Sequence, residues 1–424
     1  MGKLIRAVTA HPLIDTLIHL KGNERACLLT EPLWGIPYNL YVPYVSVYMA
    51  ALGMTPFQIG IVSTAFFASQ MFWALFGGAL TDKLGRRFCT LIFDFLCWSV
   101  PALLWMCAQN FYWFLAAALL NGMWRITETS WALLLVEEAP ESRLVHLYSI
   151  THIAGLLAGF VAPIPYFFVQ TYSVIPTVRV LYGLTFILMT AKFLILYFLS
   201  HETEIGLRHM KECKNINVIA HAWDGRHVLF TMLKTPKVML TVGVVGCFAA
   251  IKSVNDAFWP LLITDKLGIA TENLSVFATV RSLMMLLAFF VWGPRISVYS
   301  FKKPLMLGFS CLGLVYLMLL FIGPGASFFV MLGVVAEALA LSVLNPLTSS
   351  LQMLHVDKEE RARMNGLFCA MCLLMTSPFG ALAGYLSEMN RAWPYVLNLG
   401  LVAVALFLSV RVWNMKAAEE AVAA

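Results

Sequence analysis

Charge is scarce in this chain. Lys, Arg, Asp and Glu together make up 12% of the 424 residues, whereas 60% are hydrophobic. An ordinary soluble domain is about one quarter charged. The composition therefore excludes a soluble fold and places the chain in a lipid bilayer.

Sequence signatures of catalysis are also missing. The chain contains no H-E-x-x-H, no G-x-S-x-G and no G-x-x-x-x-G-K-[ST], the patterns that build zinc, nucleophile-elbow and phosphate-binding sites. We therefore expect no enzyme activity, no cofactor and no bound metal. The CxxC pair Cys369 and Cys372 lies in an apolar run without a nearby His or further Cys. We interpret this pair as packing residues and expect free thiols.

Long apolar runs are abundant instead. A membrane helix needs about 20 apolar residues to cross a bilayer core of about 30 Å. Twelve runs bounded by charge, Gly or Pro meet this need, at 27–52, 56–81, 87–108, 111–136, 144–170, 178–200, 238–263, 273–293, 304–323, 327–354, 362–387 and 392–414. The sequence thus predicts an all-α membrane protein with twelve transmembrane helices, called spans 1 to 12.

A single long polar interruption, from about His201 to Thr235, divides the spans six and six. Residues Met1–Asn23 lack the apolar core of a cleavable signal, so we expect them to lie at the membrane surface. The predicted parts are a segment 1–26, a six-helix bundle 27–200, a linker 201–237, a second six-helix bundle 238–414 and a tail 415–424.

The basic residues predict the orientation of the chain. Only Arg179, Lys266 and Arg391 fall in the loops on the side opposite to the two ends. By the positive-inside rule, both termini and the linker should be cytoplasmic. The net charge of +6 follows from this bias, since it suits the anionic inner leaflet. No nucleic-acid partner is therefore expected.

The loop between spans 2 and 3 carries a specific motif, GGALTDKLGRRF at 77–88. Asp82 and Arg86 are four residues apart and share a face of a continued helix, while Gly85 permits a tight turn. The stretch from Gly78 to Arg87 resembles the loop 2–3 signature of the major facilitator superfamily, G-x-x-x-D-[RK]-x-G-R-[RK]. Residues 43–62 also resemble the end of helix 1 and the start of helix 2 in that superfamily.

This resemblance implies two bundles that rock around a central site in a bacterial inner membrane. It also implies that Asp82 meets the N-terminal end of helix 11, and that Arg86 reaches acidic residues at the end of helix 4. We interpret these contacts as a gate on the cytoplasmic side. The predicted gate residues are Gly78, Asp82, Lys83, Gly85, Arg86, Arg87, Glu137 and Glu138.

Ionisable side chains inside a membrane are costly and usually face a cavity or a partner. Six of them lie on spans that line the cavity in the superfamily: Arg125, Glu128, Lys252, Asp256, Arg281 and Glu337. The two on span 4 and the two on span 7 share helix faces, so we expect two self-neutralising pairs. The last two should meet each other or face the solute. Structural salt bridges are the alternative for all six.

Three other ionisable residues receive a different interpretation. We expect Glu31 to neutralise a basic group near the cytoplasmic surface, and Asp94 and Lys192, on outer helices, to pair with each other or brace the bundle. Rings and amides complete the predicted solute path, because flat rings stack on sugars and flat amphiphiles. These residues are Tyr38, Asn39, Tyr41, Trp124 and Asn255.

The pattern predicts a secondary active transporter of a small organic solute, a glycoside or a zwitterion, that works by alternating access. Protonation of Glu128, Asp256 and Glu337 would couple it to the proton gradient. One alternative is a multidrug or amphiphile proton antiporter, although span 5 holds only a fragment of the superfamily's antiporter pattern. A non-transporting sensor on a carrier fold is the other. We expect a monomer whose partners are the solute and the bilayer.

Overall fold

The computed structural model describes residues 16–140, 143–219, 226–296, 302–354 and 361–423. The regular structure of these residues is helical and forms the twelve spans. Spans 1 to 6 comprise Gly22–Thr30 with Pro32–Tyr41 and Val45–Ala51, Pro56–Leu84, Arg86–Asp94 with Val100–Cys107, Phe111–Asn121 with Trp124–Val136, Leu144–Ala158 with Ile164–Tyr172, and Val174–Leu199. Spans 7 to 12 comprise Pro236–Leu261, Asn273–Ile296, Lys302–Phe321, Ser327–Leu354, Arg361–Met389 and Trp393–Ala423.

Several spans are broken or distorted. Nine of the described helices are long and apolar enough to cross a membrane, and spans 1, 4 and 8 are not among them. Span 1 passes through a 3-10 turn at Val42–Tyr44, because Pro43 cannot donate a helical hydrogen bond. Span 4 breaks between Asn121 and Trp124.

Span 2 shows how the sequence sets the ends of a helix. The Thr55 hydroxyl accepts a hydrogen bond from the Gln58 amide and the Gln58 side chain accepts one from the Thr55 amide, which forms a capping box. The helix ends at Gly85, whose φ of 85° is suited to glycine. Span 3 begins at the next residue, so the motif loop is very short.

The spans form two six-helix bundles that touch through spans 2 and 11, 5 and 8, and 1 and 7. Spans 2 and 11 meet with their backbones. A Cβ atom on Gly60 would lie 2.3 Å from the Gly380 carbonyl oxygen, and one on Gly384 would lie 2.6 Å from the Pro56 oxygen. Small residues permit such close helix contacts in membranes.

The two ends of the molecule can be told apart by their contacts. We call the end that holds the start of span 1 and the linker the terminal face, where the Asn23 side chain donates to the His201 carbonyl. The other end is the opposite face, where the Tyr44 hydroxyl of span 1 donates to the Glu272 carbonyl before span 8. This last contact joins the bundles.

The linker contains two helices, Glu204–Glu212 and Arg226–Lys234. The Thr203 hydroxyl caps the first of them by accepting from the Gly206 amide at 2.9 Å. This helix packs on span 2, whereas the second packs on spans 7 and 11. The predicted limits of the five parts of the chain stay predictions.

Candidate functional site

Two charged side chains lie exposed on the most enclosed helix. Span 7 is buried over 67% of its apolar window, the largest share among the nine long apolar helices. Lys252 and Asp256 are nevertheless exposed, while Ser253, Val254 and Asn255 between them are buried. Charged groups in the middle of an enclosed membrane helix must face a polar cavity, since lipid cannot solvate them.

The cavity side of span 7 faces the first bundle. Asp256 is close enough to the Tyr38 hydroxyl on span 1 to interact with it electrostatically. Tyr38 stacks on Trp34 with ring centroids 4.8 Å apart, and Tyr41 packs on Tyr182 at 4.9 Å. The Asp256 carboxylate and the Tyr38 ring therefore lie on the two sides of one central space. Tyr41, at 3% exposure, lies behind this space.

The predicted pair on span 7 differs from expectation. Lys252 and Asp256, both described, lie on one face and interact electrostatically, but no contact within 4.0 Å joins them in the described structure. The shared face agrees with the sequence, a direct contact is missing, and mutual neutralisation stays a prediction. Exposure to the cavity explains the difference, because water can solvate the two charges separately.

Arg281 and Glu337 do meet inside the second bundle. Arg281 Nη2 lies 3.0 Å from Glu337 Oε2, and the Asn255 amide donates to Glu337 Oε1 at 2.7 Å. The Arg281 guanidinium also lies 5.2 Å from the Trp259 ring centroid. Glu337 is 3% exposed. Spans 7, 8 and 10 are thus joined by one buried polar network.

The predicted pair on span 4 is present. Arg125 Nη1 lies 2.5 Å from Glu128 Oε2, and Arg125 Nε donates to Gln70 on span 2 at 2.9 Å. The guanidinium covers the Trp124 ring at 4.4 Å. The Glu128 side chain is half exposed. Span 4 therefore presents a carboxylate to the solvated side of the first bundle.

The Asn39 side chain bonds to its own helix and lies where spans 5 and 8 meet. Its amide donates to the Gly35 carbonyl of the preceding turn at 2.8 Å. This bond lies within the continuous helix Pro32–Tyr41, before the break in span 1. The side chain also lies beside Gly159 and Ser282, where spans 5 and 8 meet.

The motif residues form a compact network at the terminal face. Arg86 is 1% exposed, and its Nε and Nη2 atoms donate to Glu137 at 3.1 and 2.9 Å. Asp82 lies 3.2 Å from Arg86 Nη1 and 2.8 Å from His209 Nδ1 on the first linker helix. The side chains at the start of span 11 lie outside the described residues. Glu138 contacts His201 at 2.9 Å.

The remaining motif residues have separate tasks. Lys83 donates to the Ile216 carbonyl of the linker at 2.9 Å. Arg87 donates to the Tyr197 carbonyl at 2.7 Å and covers the Tyr197 ring at 3.9 Å. Gly85 provides the turn, and a Cβ on Gly78 would meet nothing within 4 Å. The motif thus ties the linker to the end of span 6.

Sequence reasoning missed the linker's part in this network. The Glu202 carboxylate accepts from the Arg86 and Arg87 amides at 2.8 and 2.9 Å, and the Thr203 hydroxyl donates to Glu137. An acid followed by a helix-capping Thr was the available signal. It could not show which loop the acid would reach.

Sequence reasoning missed the ion pair between Glu31 and Lys192 in the first bundle. Lys192 Nζ lies 2.9 Å from Glu31 Oε2, so Glu31 neutralises an interior lysine instead of a basic group at the surface. Asp94 lies near both and is 5% exposed. Their partners are far apart in sequence, so helical spacing gave no signal for this cluster.

Comparison with protein families places the chain clearly. A family model described as Major Facilitator Superfamily matches residues 34–255 and again 241–422. The quinolone resistance protein NorA of Staphylococcus aureus is 33% identical over 85 residues, which is 20% of this chain and 22% of NorA. The match therefore spans about a fifth of that curated relative.

Solved structures share the fold across nearly the whole chain. A crystal structure of a mutant of the nucleoside transporter NupG superposes with a TM-score of 0.73 at 14% identity and covers 92% of this chain and 99% of NupG. A POT family transporter in complex with 5-aminolevulinic acid gives a TM-score of 0.71 at 13% identity, covering 92% and 95%. At such identities the likeness establishes the fold alone.

Proposed function

The chain belongs to the Major Facilitator Superfamily, and from this premise we propose that it is a proton-coupled secondary transporter of a small zwitterionic or glycosidic solute. This proposal rests on the pair of exposed charges, Lys252 and Asp256, on span 7, which is the most buried of the nine long apolar helices. A membrane protein tolerates such groups where a polar ligand or water meets them.

The chemistry of the central space supports a solute with both charge signs or many hydroxyls. The second bundle contributes an ammonium and a carboxylate, and the first bundle contributes the Tyr38 ring and the half-exposed Glu128. An ammonium group of the solute fits Asp256, a carboxylate or hydroxyl fits Lys252, and a flat part fits Tyr38. A phosphate would favour unpaired Arg, whereas Arg125 and Arg281 are both paired.

The contacts between the bundles support alternating access. Near the opposite face, spans 1 and 7 touch, Tyr44 holds the Glu272 carbonyl, and spans 2 and 11 meet at Gly60 and Gly380. Spans 4 and 10 pack chiefly on helices of their own bundles. We infer a state closed at the opposite face and open towards the terminal face. Rocking would break the first set of contacts.

We further propose that the terminal face is cytoplasmic and that the chain works as a monomer in the cell membrane. Asp82, Arg86 and Glu137 belong to the gate of that face. In the present state their charges are satisfied by each other and by the linker. When the gate is closed, we expect Asp82 to contact the positive N-terminal end of span 11.

Uptake into proteoliposomes tests the proposal. The purified full-length protein is reconstituted and given a pH gradient together with a nucleoside, 5-aminolevulinic acid, a phenyl glycoside or a quinolone. We expect gradient-driven uptake of at least one solute, lost in Asp256→Asn because its carboxylate faces the cavity. Cys107→Ser at the opposite face is the matched control. Lack of flux for the whole panel would favour the sensor and refute transport.

Export of amphiphiles is the second candidate function. It is favoured by the partial likeness to NorA and by the aromatic row of Trp34, Tyr38 and Tyr41. Inside-out vesicles would then accumulate a quinolone when their lumen is acidified. Right-side-out vesicles with an acidic exterior would accumulate the solute of an importer instead.

A further inference from the structure

Three charged side chains lie together inside the first bundle, away from the central space. Glu31 of span 1 and Lys192 of span 6 form a 2.9 Å ion pair. Asp94 of span 3 interacts electrostatically with both. Asp94 and Lys192 are each 5% exposed, so neither charge is solvated by bulk water.

Aromatic rings, a hydroxyl group and thiols lie beside this cluster. The rings of Trp34 and Trp131 lie 5.7 and 5.8 Å from Lys192 Nζ, and the Thr127 hydroxyl faces Asp94 from span 4. The other titratable groups near these three side chains are thiols, namely Cys27, Cys89 and Cys97. The thiols are buried and neutral, so they add no compensating charge.

The charges of the cluster do not balance. Two carboxylates and one ammonium leave one negative charge in excess when all three groups are ionised. The other interior groups balance, since Arg125 faces Glu128, Arg281 faces Glu337, and Lys252 shares a face with Asp256. An unpaired charge in the membrane interior costs several kcal/mol. The cluster is therefore neutral only with one added cation.

We propose that Asp94 and Glu31 form the binding site of the coupling proton, with Lys192 as the fixed countercharge. This inference rests on the proposed transport function, for which it names the coupling ion and its place. The proton binds to a carboxylate oxygen of either residue, and Lys192 remains an ammonium that pairs with the ionised one. The proton thus sits in the first bundle, and not on the cavity carboxylates suggested by the sequence.

The backbone of span 3 departs from α-helical geometry directly after Asp94. Span 3 turns into a π-helix at Phe95–Ser99 directly after Asp94. Single π turns inside α-helices are frequent at functional sites. The Asn121 amide donates to the Cys97 carbonyl within this turn at 2.6 Å. The widened turn is thus held in place by a side chain of span 4.

The cluster is connected to the central space along one helix face. Glu31, Trp34 and Tyr38 follow each other at helical spacing, and the last two rings stack. Tyr38 reaches the neighbourhood of Asp256. Glu31, with 13% side-chain exposure, is the more accessible carboxylate of the cluster. A proton can therefore bind first to Glu31 and then pass to Asp94, while Tyr38 faces the solute.

Infrared difference spectroscopy measures this proton without a known solute. The full-length protein in liposomes of phosphatidylethanolamine and phosphatidylglycerol is titrated from about pH 5 to about pH 9, the range in which buried carboxyls take up protons. We expect a protonated-carboxyl band that is lost in Asp94→Asn and in Glu31→Gln. Asp265→Asn is the matched control and should keep the band, because Arg391 balances that carboxylate outside the cluster.

The variant Lys192→Met should change the intensity of the protonated-carboxyl band in the opposite direction, which gives an independent test. Without the ammonium both carboxylates need a proton, so the band should about double instead of disappearing. Loss of the band in Asp265→Asn, or its persistence in both Asp94→Asn and Glu31→Gln, would overturn the proposal. The band is measured without transport, so it can be present in a chain that moves no solute, and flux can occur without it.

Discussion

Removal of the Glu337 charge tests the buried network of the second bundle. Glu337→Gln keeps an oxygen that can accept from Asn255, but it leaves the Arg281 guanidinium without a carboxylate. Breaking a buried pair on one side costs about 3–5 kcal/mol. The Arg281 side chain is 23% exposed, so water screens part of the lost attraction. We therefore expect the lower end, about 3 kcal/mol.

The expected effect is a shift of the unfolding temperature. For units of 150 to 250 residues, each kcal/mol lowers this temperature by about 2–4 °C. Glu337→Gln should therefore lower it by about 6–12 °C. Thermal unfolding in detergent micelles, followed by tryptophan fluorescence at one protein concentration, measures the shift. Asp265→Asn is the control, because its exposed pair with Arg391 contributes only about 0–1 kcal/mol.

A double variant separates the charge effect from a packing effect. If Glu337→Gln strands a charge, adding Arg281→Gln should restore part of the lost stability, since residues in contact couple by about 0.5–3 kcal/mol. Equal shifts for Glu337→Gln and Asp265→Asn would refute the reasoning. A double variant that loses the sum of the two single effects would refute it as well.

Two further predictions concern the closed face and the linker. Gly60→Val should separate spans 2 and 11, because its Cβ would lie 2.3 Å from the Gly380 oxygen, and spin-label distances across the opposite face should lengthen. Gly155→Val, with nothing within 4 Å of its Cβ, should leave them unchanged. Burial raises the pKa of the Cys213 thiol, so at neutral pH it should react with maleimide more slowly than the exposed Cys107 and speed up as pH rises. Peptide mass spectrometry measures both rates, and equal rates at neutral pH would contradict the buried placement.

The sequence predicted the architecture well because hydrophobic length is a local property. Twelve apolar runs and the motif between spans 2 and 3 sufficed for the family, and the family model matches nearly the whole chain. The irregular turns within the spans were harder to predict from the sequence. A proline such as Pro43 marks a bend, but the π-helix after Asp94 has no comparable residue signal.

Helical spacing predicted part of the polar contacts. Arg125 and Glu128 share one helix, and their ion pair was predicted from three-residue spacing. Lys252 and Asp256 have similar spacing, yet the open cavity lets them stay apart. Contacts between helices, such as Lys192 with Glu31, depend on tertiary packing that one sequence does not encode locally.

Among the described residues, the first linker helix contacts the first bundle. Glu202, Thr203 and His209 attach it to the motif and to the end of span 4. The helix Glu204–Glu212 should therefore move with the first bundle as one rigid body. The mechanical tether between the two bundles then begins near Cys213 and not at the end of span 6. A fluorophore attached at the exposed Arg208 would consequently report the tilt of the first bundle alone. The helix is therefore a suitable labelling site for single-molecule measurements.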